Sequence, residues 1–257
     1  MFRLEYRDVT MKFPAAKGAG MVTAISDVNF AVADGEVVSL IGPSGCGKST
    51  LLNIGSGLYS PTSGQAFVDG ERVEGPNAHV AFMLQKDLLL PWRTIAENVM
   101  FGTQIQGVAK AECRRRAEQL LANFRLSEFA NRYPDQLSGG MRQRVALART
   151  LAVDPTVLLL DEPFSAIDAQ TRIVLQRDLA QTLRASKKTA LLITHDLLEA
   201  VTLADRVLIM SRRPGRIIDE IKVDIPDRHD PLTRRRHPAV GKYVERLMEQ
   251  LDVGQNA

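Results

Sequence analysis

Residues 42–50 read Gly42-Pro43-Ser44-Gly45-Cys46-Gly47-Lys48-Ser49-Thr50 and fit the pattern G-x-x-x-x-G-K-[ST]. Glycines at this spacing let a backbone curl until successive N–H groups point inward at one anion. A helix starting near Lys48 adds its positive end to the same place. The chemistry is that of a phosphate cradle. Lys48 is expected to reach the β- and γ-phosphates of a bound nucleotide, the Ser49 hydroxyl to ligate Mg²⁺, and Thr50 to bond a phosphate oxygen. Cys46 is read as a small residue that the loop tolerates.

Three further positions can act on what such a loop holds. The run TVLLLDEP (156–163) ends an apolar strand in two acids. Asp161 can hold a carboxylate rigidly near Mg²⁺, usually through a water. Glu162 projects on the other side of the strand end, where it can polarise a water in line with the γ-phosphate. Such strand ends are common alone; about 110 residues after Lys48 this one gains its meaning from the loop. His195 closes the apolar run LLIT and can aim a ring N–H at the γ-phosphate or the attacking water. Gln85 follows HVAFML, and its amide can touch Mg²⁺ or that water. A lone histidine or glutamine would carry no such reading.

The octet LSGGMRQR (137–144) makes a second anion site. Ser138 is a good N-cap, and Gly139 and Gly140 leave the first amides of the next helix uncovered. That helix turns its positive end toward whatever faces it. Since one loop already serves the chain's own nucleotide, this second cradle is expected to serve the nucleotide of another subunit.

The elements that must position these residues alternate in kind. Residues 2–9 and 21–33 read as short strands around a Pro/Gly/Ala loop at 14–20. EVVSLIG (36–42), TVLLLDEP, TALLITHD and RVLIMS are short apolar runs suited to central parallel strands covered on both faces. Segments 169–185 and 196–203 read as helices between them. From about 86 to 156 apolar residues recur at three- and four-residue steps, predicting an inserted helical stretch. Val240, Tyr243, Val244, Leu247 and Leu251 make one face of a last helix, a packing stripe.

The 257 residues carry 33 basic and 30 acidic side chains, and the net charge of +3 speaks against a dedicated nucleic-acid binder. The two cysteines, Cys46 and Cys113, are too few for a disulfide scaffold and favour a reducing, cytoplasmic setting. The longest apolar runs fall far short of the roughly 20 residues that span a bilayer, and the N-terminus lacks a signal-peptide core. The basic run at 234–237 reads as a solvated face, with lipid headgroups as the other reading.

The phosphate loop, the glutamine strand end, LSGGMRQR, LLLDEP, SAID (165–168) and ITHD arrive in this order, and the chain resembles the ATP-binding subunits of ABC transporters over nearly its full length. The resemblance implies an α/β fold: a P-loop NTPase core with a mostly parallel sheet, an N-terminal antiparallel β subdomain and an inserted α-helical subdomain. One ABC ATPase domain spans 1–257, with core and β subdomain at about 1–85 and 157–220, helices at 86–156 and a C-terminal extension at 221–257. The segment after His195 is too short for the further regulatory domain that some importers carry.

It also implies an ATPase that works as a head-to-tail homodimer, each ATP lying between the 42–50 loop of one subunit and Ser138, Gly139 and Gly140 of the other. Asp168 matches the loop lining the dimer seam, where Ile167 replaces the usual leucine. Phe13 matches the aromatic under the adenine, with Tyr6 as the other candidate and a core aromatic as the ordinary reading. QKDLLLPWRTIAENV (85–99) and MSRRPGRIIDEIKVDIPDR (210–228) resemble importers for nitrate, sulfonates and taurine. In them Leu89, Leu90, Pro91 and Trp92 would meet a transmembrane permease, on the cytoplasmic face of the inner or plasma membrane, with an extracytoplasmic solute-binding protein as indirect partner. A buried loop anchored by Trp92 is the alternative. A soluble ABC-type ATPase acting on nucleic acid, ribosomes or cofactor assembly is the rival function. It would usually show a coiled-coil insertion or two cassettes in one chain.

Overall fold

The computed structural model describes residues 1–15, 20–165 and 167–256, with the side chains of 252–256 left aside. Two long strands open the chain, β1 (Phe2–Pro14) and β2 (Met21–Ala33), paired antiparallel. The first runs well past the expected 2–9. Register shifts near Tyr6–Val9 break its alternation, and Asp8 and Asp27 take up the kink at positive φ. Aspartate tolerates that region better than most side chains do.

β3 (Val37–Ile41) is buried at every residue and runs into α1 (Lys48–Gly55). The strands β4 (Ser63–Val68) and β5 (Glu71–Arg72) return to β1, completing a four-stranded sheet in the order β2-β1-β4-β5. β6 (Val80–Met83) then begins the other edge of the main sheet.

Three helices come next: α2 (Ile95–Ile105), α3 (Lys110–Asn123) and α4 (Gly139–Ala152). Thr94 starts the first with a capping box, accepting from the Glu97 amide while the Glu97 carboxylate accepts from the Thr94 amide. α4 turns Val145, Ala146, Ala148 and Ala152 inward at helical spacing.

The chain then alternates through β7 (Val157–Asp161), α5 (Ala169–Ala185), β8 (Thr189–Ile193), α6 (Leu197–Leu203) and β9 (Arg206–Met210), and β10 (Ile217–Lys222) doubles back. The main sheet has the order β10-β9-β3-β8-β7-β6, parallel except for β10.

The period of two sorts each central strand between two cores. Leu158 and Leu160 of β7 pack with Val145 and Leu147 on the helical side. Val157 and Leu159 pack with Leu51, Leu52 and the N-terminal sheet. The functional strand ends are thereby clamped from both faces.

The C-terminal stretch departs from expectation. α7 (Pro231–Arg235) carries Arg234, which is 2% exposed, not solvated. It donates to the carbonyls of Thr202, Ala204, Val223 and Ile225, so the charge is satisfied by backbone acceptors. Burial still pushes its guanidinium down to about 10. Arg235 and Arg236 do face solvent. α8 (Val240–Asn256) packs its apolar stripe on the body as expected, with Val240 and Leu247 fully inside. Among the described residues no helix is long and apolar enough to cross a membrane.

Candidate active site

β3 delivers the 42–50 loop, and its glycines do what no other residue could. Gly45 and Gly47 sit at φ 76° and 107°, and a Cβ on Gly47 would drive into Ile25. α1 therefore begins on Gly47 without any side-chain cap. Among the described residues, the amides of Gly45, Gly47, Lys48, Ser49 and Thr50 donate to no protein acceptor. The Lys48 ammonium folds over the loop, donating to the carbonyls of Gly42 at 2.7 Å and Pro43 at 2.9 Å. Cys46 is buried beneath it, its Sγ 3.7 Å from Nζ. Five bare amides and a lysine are a fit for phosphate oxygens.

Asp161 ends β7 at 8% exposure. Burial pushes its carboxyl up, and the bond from the Ser49 hydroxyl together with the charge on Lys48 pulls it back. A hydroxyl and a buried carboxylate held together beside a phosphate cradle are hard oxygen donors, the set that suits Mg²⁺.

Glu162 turns off the strand at φ 47°, a conformation costing on the order of 1–3 kcal/mol for a residue with a side chain. Its backbone is held by donation to Ile193 O at 3.0 Å and by acceptance from the Ser165 amide and hydroxyl. The turn aims the carboxylate at two partners. Gln85 Nε2 donates to Glu162 Oε2 at 3.0 Å, and His195 Nδ1 lies 3.2 Å from the same oxygen. Three distant strand ends thus meet on one atom. Gln85 is bound here to Glu162, not to the Asp161–Ser49 pair.

Ser138 caps α4, accepting from the Met141 amide at 3.4 Å, and Gly139 and Gly140 carry the bare start. A Cβ on Gly140 would stand 3.4 Å from the Thr171 methyl and 3.6 Å from Ile167. Asp168 caps α5 by accepting from Thr171 N at 3.0 Å, which holds its carboxyl below the usual range. Among the described residues no hydrogen bond or ion pair joins 138–140 to the 42–50 loop.

The loop after Gln85 is fastened to α4 by residues that the sequence did not single out. Gln143 donates to Gln85 O at 2.9 Å and Arg142 to Asp87 at 3.0 Å; Arg149 donates to the carbonyls of Asp87 and Leu88. Burial draws the Arg149 guanidinium down. Gln85, Asp87, Leu88, Gly139, Arg142 and Gln143 line a hollow of about 790 Å³. Asn98, fully buried, shapes the next turn through bonds to Leu90, Arg93 and Thr94. Of the four apolar residues there, Leu89 packs inward, Leu90 is half-buried, and Pro91 and Trp92 stand out, Trp92 at 72%. The indole is no anchor for this loop.

A family model described as ABC transporter matches residues 25–165, more than half of the chain. This chain belongs to the ABC transporter family. It is an ATP-binding cassette that hydrolyses ATP with Mg²⁺. A taurine import ATP-binding protein of Burkholderia pseudomallei (strain K96243) is 42% identical over 98% of this chain and 99% of its own length. One from Roseobacter denitrificans is 39% identical over 98% and 94%. A dimeric structure of the ATP-binding cassette MJ0796 in a post-hydrolysis state, bound to ADP and Pi, superposes with a TM-score of 0.77. That match is 32% identical and covers 86% of this chain and 98% of that one.

Two aromatics of the cassette competed for the base. Tyr6 is 1% exposed, stacks on Phe30 at 4.6 Å, and donates its hydroxyl to Leu51 O at 2.8 Å. It is a core residue. Phe13, at the end of β1, is half-exposed and meets Tyr59 edge-on at 5.8 Å.

Behind His195 the cassette keeps a polar cluster that went unread. Arg172 donates to Ile167 O at 3.1 Å and pairs with Asp196 at 3.7 Å. Gln176, one turn on, donates to Glu199 at 3.4 Å. Glu199 is 5% exposed, and burial, with Asp196 adding to it, pushes its carboxyl up to about 8. The spacing of Asp168, Arg172 and Gln176 along one helix face was the available signal.

Proposed function

We propose that this cassette drives a membrane importer for a small anionic or zwitterionic solute of the taurine, sulfonate or nitrate kind, as half of a head-to-tail ATPase pair. The observation that carries the pairing is the bare start of α4. Ser138, Gly139 and Gly140 offer amides to an anion yet have no lysine or metal carboxylate of their own. Those stand at 48 and 161, with the other bare helix start. Two copies placed head to tail would give each nucleotide one start of each kind.

In this reading residues 42–50 grip the phosphates, and Phe13 stacks on the base. Ser49 and Asp161 would hold Mg²⁺, whose chemistry there would be charge neutralisation at the phosphate oxygens. Glu162 takes the proton of the attacking water, and His195 donates to the charge that develops on the γ-phosphate. Gln85 holds Glu162 through its amide before ATP arrives, and that amide would be free to turn to the attacking water or toward a bound Mg²⁺. Asp168 lines the seam. The core at 1–85 and 157–220 does the chemistry, and the helical lobe at 86–156 brings the signature amides to the partner's nucleotide.

The taurine import relatives support a peripheral place on the cytoplasmic face of the membrane, with Trp92, Pro91 and Leu90 presented to a permease and a solute-binding protein served through it. Exposed apolar groups on a fixed loop suit such a contact.

The test is Glu162→Gln, which keeps the shape and loses the base. Turnover should fall by roughly 10²–10⁴-fold. Sedimentation with MgATP should then show a stable dimer. A variant that stays monomeric with ATP bound, alone and beside its permease, would sink the pairing.

A further inference from the structure

The turn between β9 and β10, residues 211–216, is stitched to two elements at once. Toward β2, the Gly215 amide donates to Ala24 O at 2.9 Å and the Ser26 amide donates to Gly215 O at 3.0 Å. Arg216 adds a bond to the Ser26 hydroxyl and an ion pair with Asp27 at 3.3 Å. Toward the phosphate loop, Arg213 donates to Gly45 O at 3.1 Å, and Gly215 lies so near the Cys46 carbonyl that a Cβ at 215 has no room. Ser211 braces the turn from within, its hydroxyl accepting from the Arg216 amide at 3.0 Å.

Gly45 is the point where this matters. Its amide is one of the five left bare for phosphate, and its carbonyl must stay turned away, because an oxygen facing the anion would repel it. A guanidinium waiting outside gives that carbonyl a partner in the productive orientation only. The other end of the stitch is the sheet of the base: β2 pairs with β1, and Val22 stands opposite Phe13.

We propose that Arg213 is a positioning residue of the phosphate cradle, and that the 211–216 turn couples the cradle to the strand pair carrying Phe13. The coupling rests on the proposed roles of Phe13 and of residues 42–50. Base and phosphates are then gripped by one connected frame, β1–β2–turn–loop, and losing either end loosens the other. Arg213 is exposed, so its replacement leaves the core untouched.

The experiment compares Arg213→Ala, Arg213→Lys, Phe13→Ala and the Arg213→Ala/Phe13→Ala pair in the full chain. Calorimetry measures binding of MgATP and of magnesium tripolyphosphate, which has no base; steady-state kinetics follow ATP. Arg213→Ala should raise Kd for both ligands, and KM for ATP, about tenfold, the worth of one hydrogen bond from a charged donor. kcat should change by less than twofold, and Arg213→Lys should recover part of the loss. The double variant should lose less than the product of the two single losses, since the coupled pair is not additive. Unchanged Kd in Arg213→Ala overturns the proposal, and so does a kcat loss matching a fall in Tm with Kd intact. Multiplicative losses in the double variant overturn the coupling. If Phe13→Ala alone leaves ATP binding intact, the base reading fails while the Arg213 result with tripolyphosphate stands separately.

Discussion

Two helices of this cassette start on uncovered amides, α1 at Lys48 and α4 at Gly139, and their surroundings could hardly differ more. Around the first, Lys48 is 9% exposed and Asp161 is 8% exposed, with the Ser49 hydroxyl bonded to that carboxylate. Around the second, Ser138 faces solvent, and the nearest side chains across Gly140 are a threonine methyl and an isoleucine. The first start has the means to neutralise a triphosphate. The second has dipole and hydrogen bonds and, among the described residues, no lysine or metal carboxylate beside it: enough to complete a site and too little to found one.

That contrast breaks most decisively at its charged end. Lys48→Ala should weaken ATP binding by calorimetry roughly 100-fold, about two hydrogen bonds from a charged donor, whether or not a partner is present. Binding within threefold of the parent would place the first site elsewhere. Ser138→Arg attacks the other start. It should leave ATP affinity of the single subunit intact and raise the dissociation constant of the ATP-loaded Glu162→Gln dimer by about 30-fold or more, as loss of a central contact does. Equal damage to both measurements would mean that both starts of one subunit serve that subunit's own nucleotide.

Smaller effects sharpen the comparison. Phe13→Ala should raise Kd for ATP about 10-fold, in line with one base–aromatic stack, and weaken tripolyphosphate binding only through the looser frame, by about twofold. Tyr6→Phe should spare ATP binding and lower stability by about 1 kcal/mol, the worth of its bond to Leu51.

Glu199 anchors α5, against which the start of α4 leans. Its raised carboxyl binds a proton more tightly folded than unfolded, so its contribution is full below pH ~4.5 and is lost as pH climbs toward 8. Glu199→Gln cannot titrate, and its Tm relative to the parent should rise by roughly 5–10 °C between pH 5 and pH 8.5. A flat difference across that range would mean that the carboxyl is solvated.

The parts legible in the sequence are those whose chemistry is local. The 42–50 loop needs glycine at fixed offsets, and the central strands needed only unbroken apolar runs, so both could be read without knowing their neighbours. Arg234 and Glu199 were opaque because their partners lie far along the chain, and Asn98 because it closes a local turn through carbonyls that no periodicity marks; a polar letter alone suggests water. The basic run at 234–237 misled for this reason, since only the fold brings four carbonyls round Arg234. Resemblance alone sets Phe13 ahead of Tyr6 in the sequence, because the register shifts past Tyr6 that bury one and leave the other at the strand end are announced by no periodicity.

α4 carries Arg142, Gln143 and Arg149, and together they pin the segment from Gln85 to Leu88 along the helix. Trp92 follows a few residues later and Ser138 sits at that helix's tip. In the proposed docking, a push at the indole would reach the serine as tilt through these three side chains. Such a linkage works in reverse with the same fidelity, so whatever grips the serine tip also sets the angle at which the tryptophan meets its neighbour. In the proposed pairing, the stroke would be the motion of a single stiff lever, its idle travel set by how tightly three side chains hold one short loop.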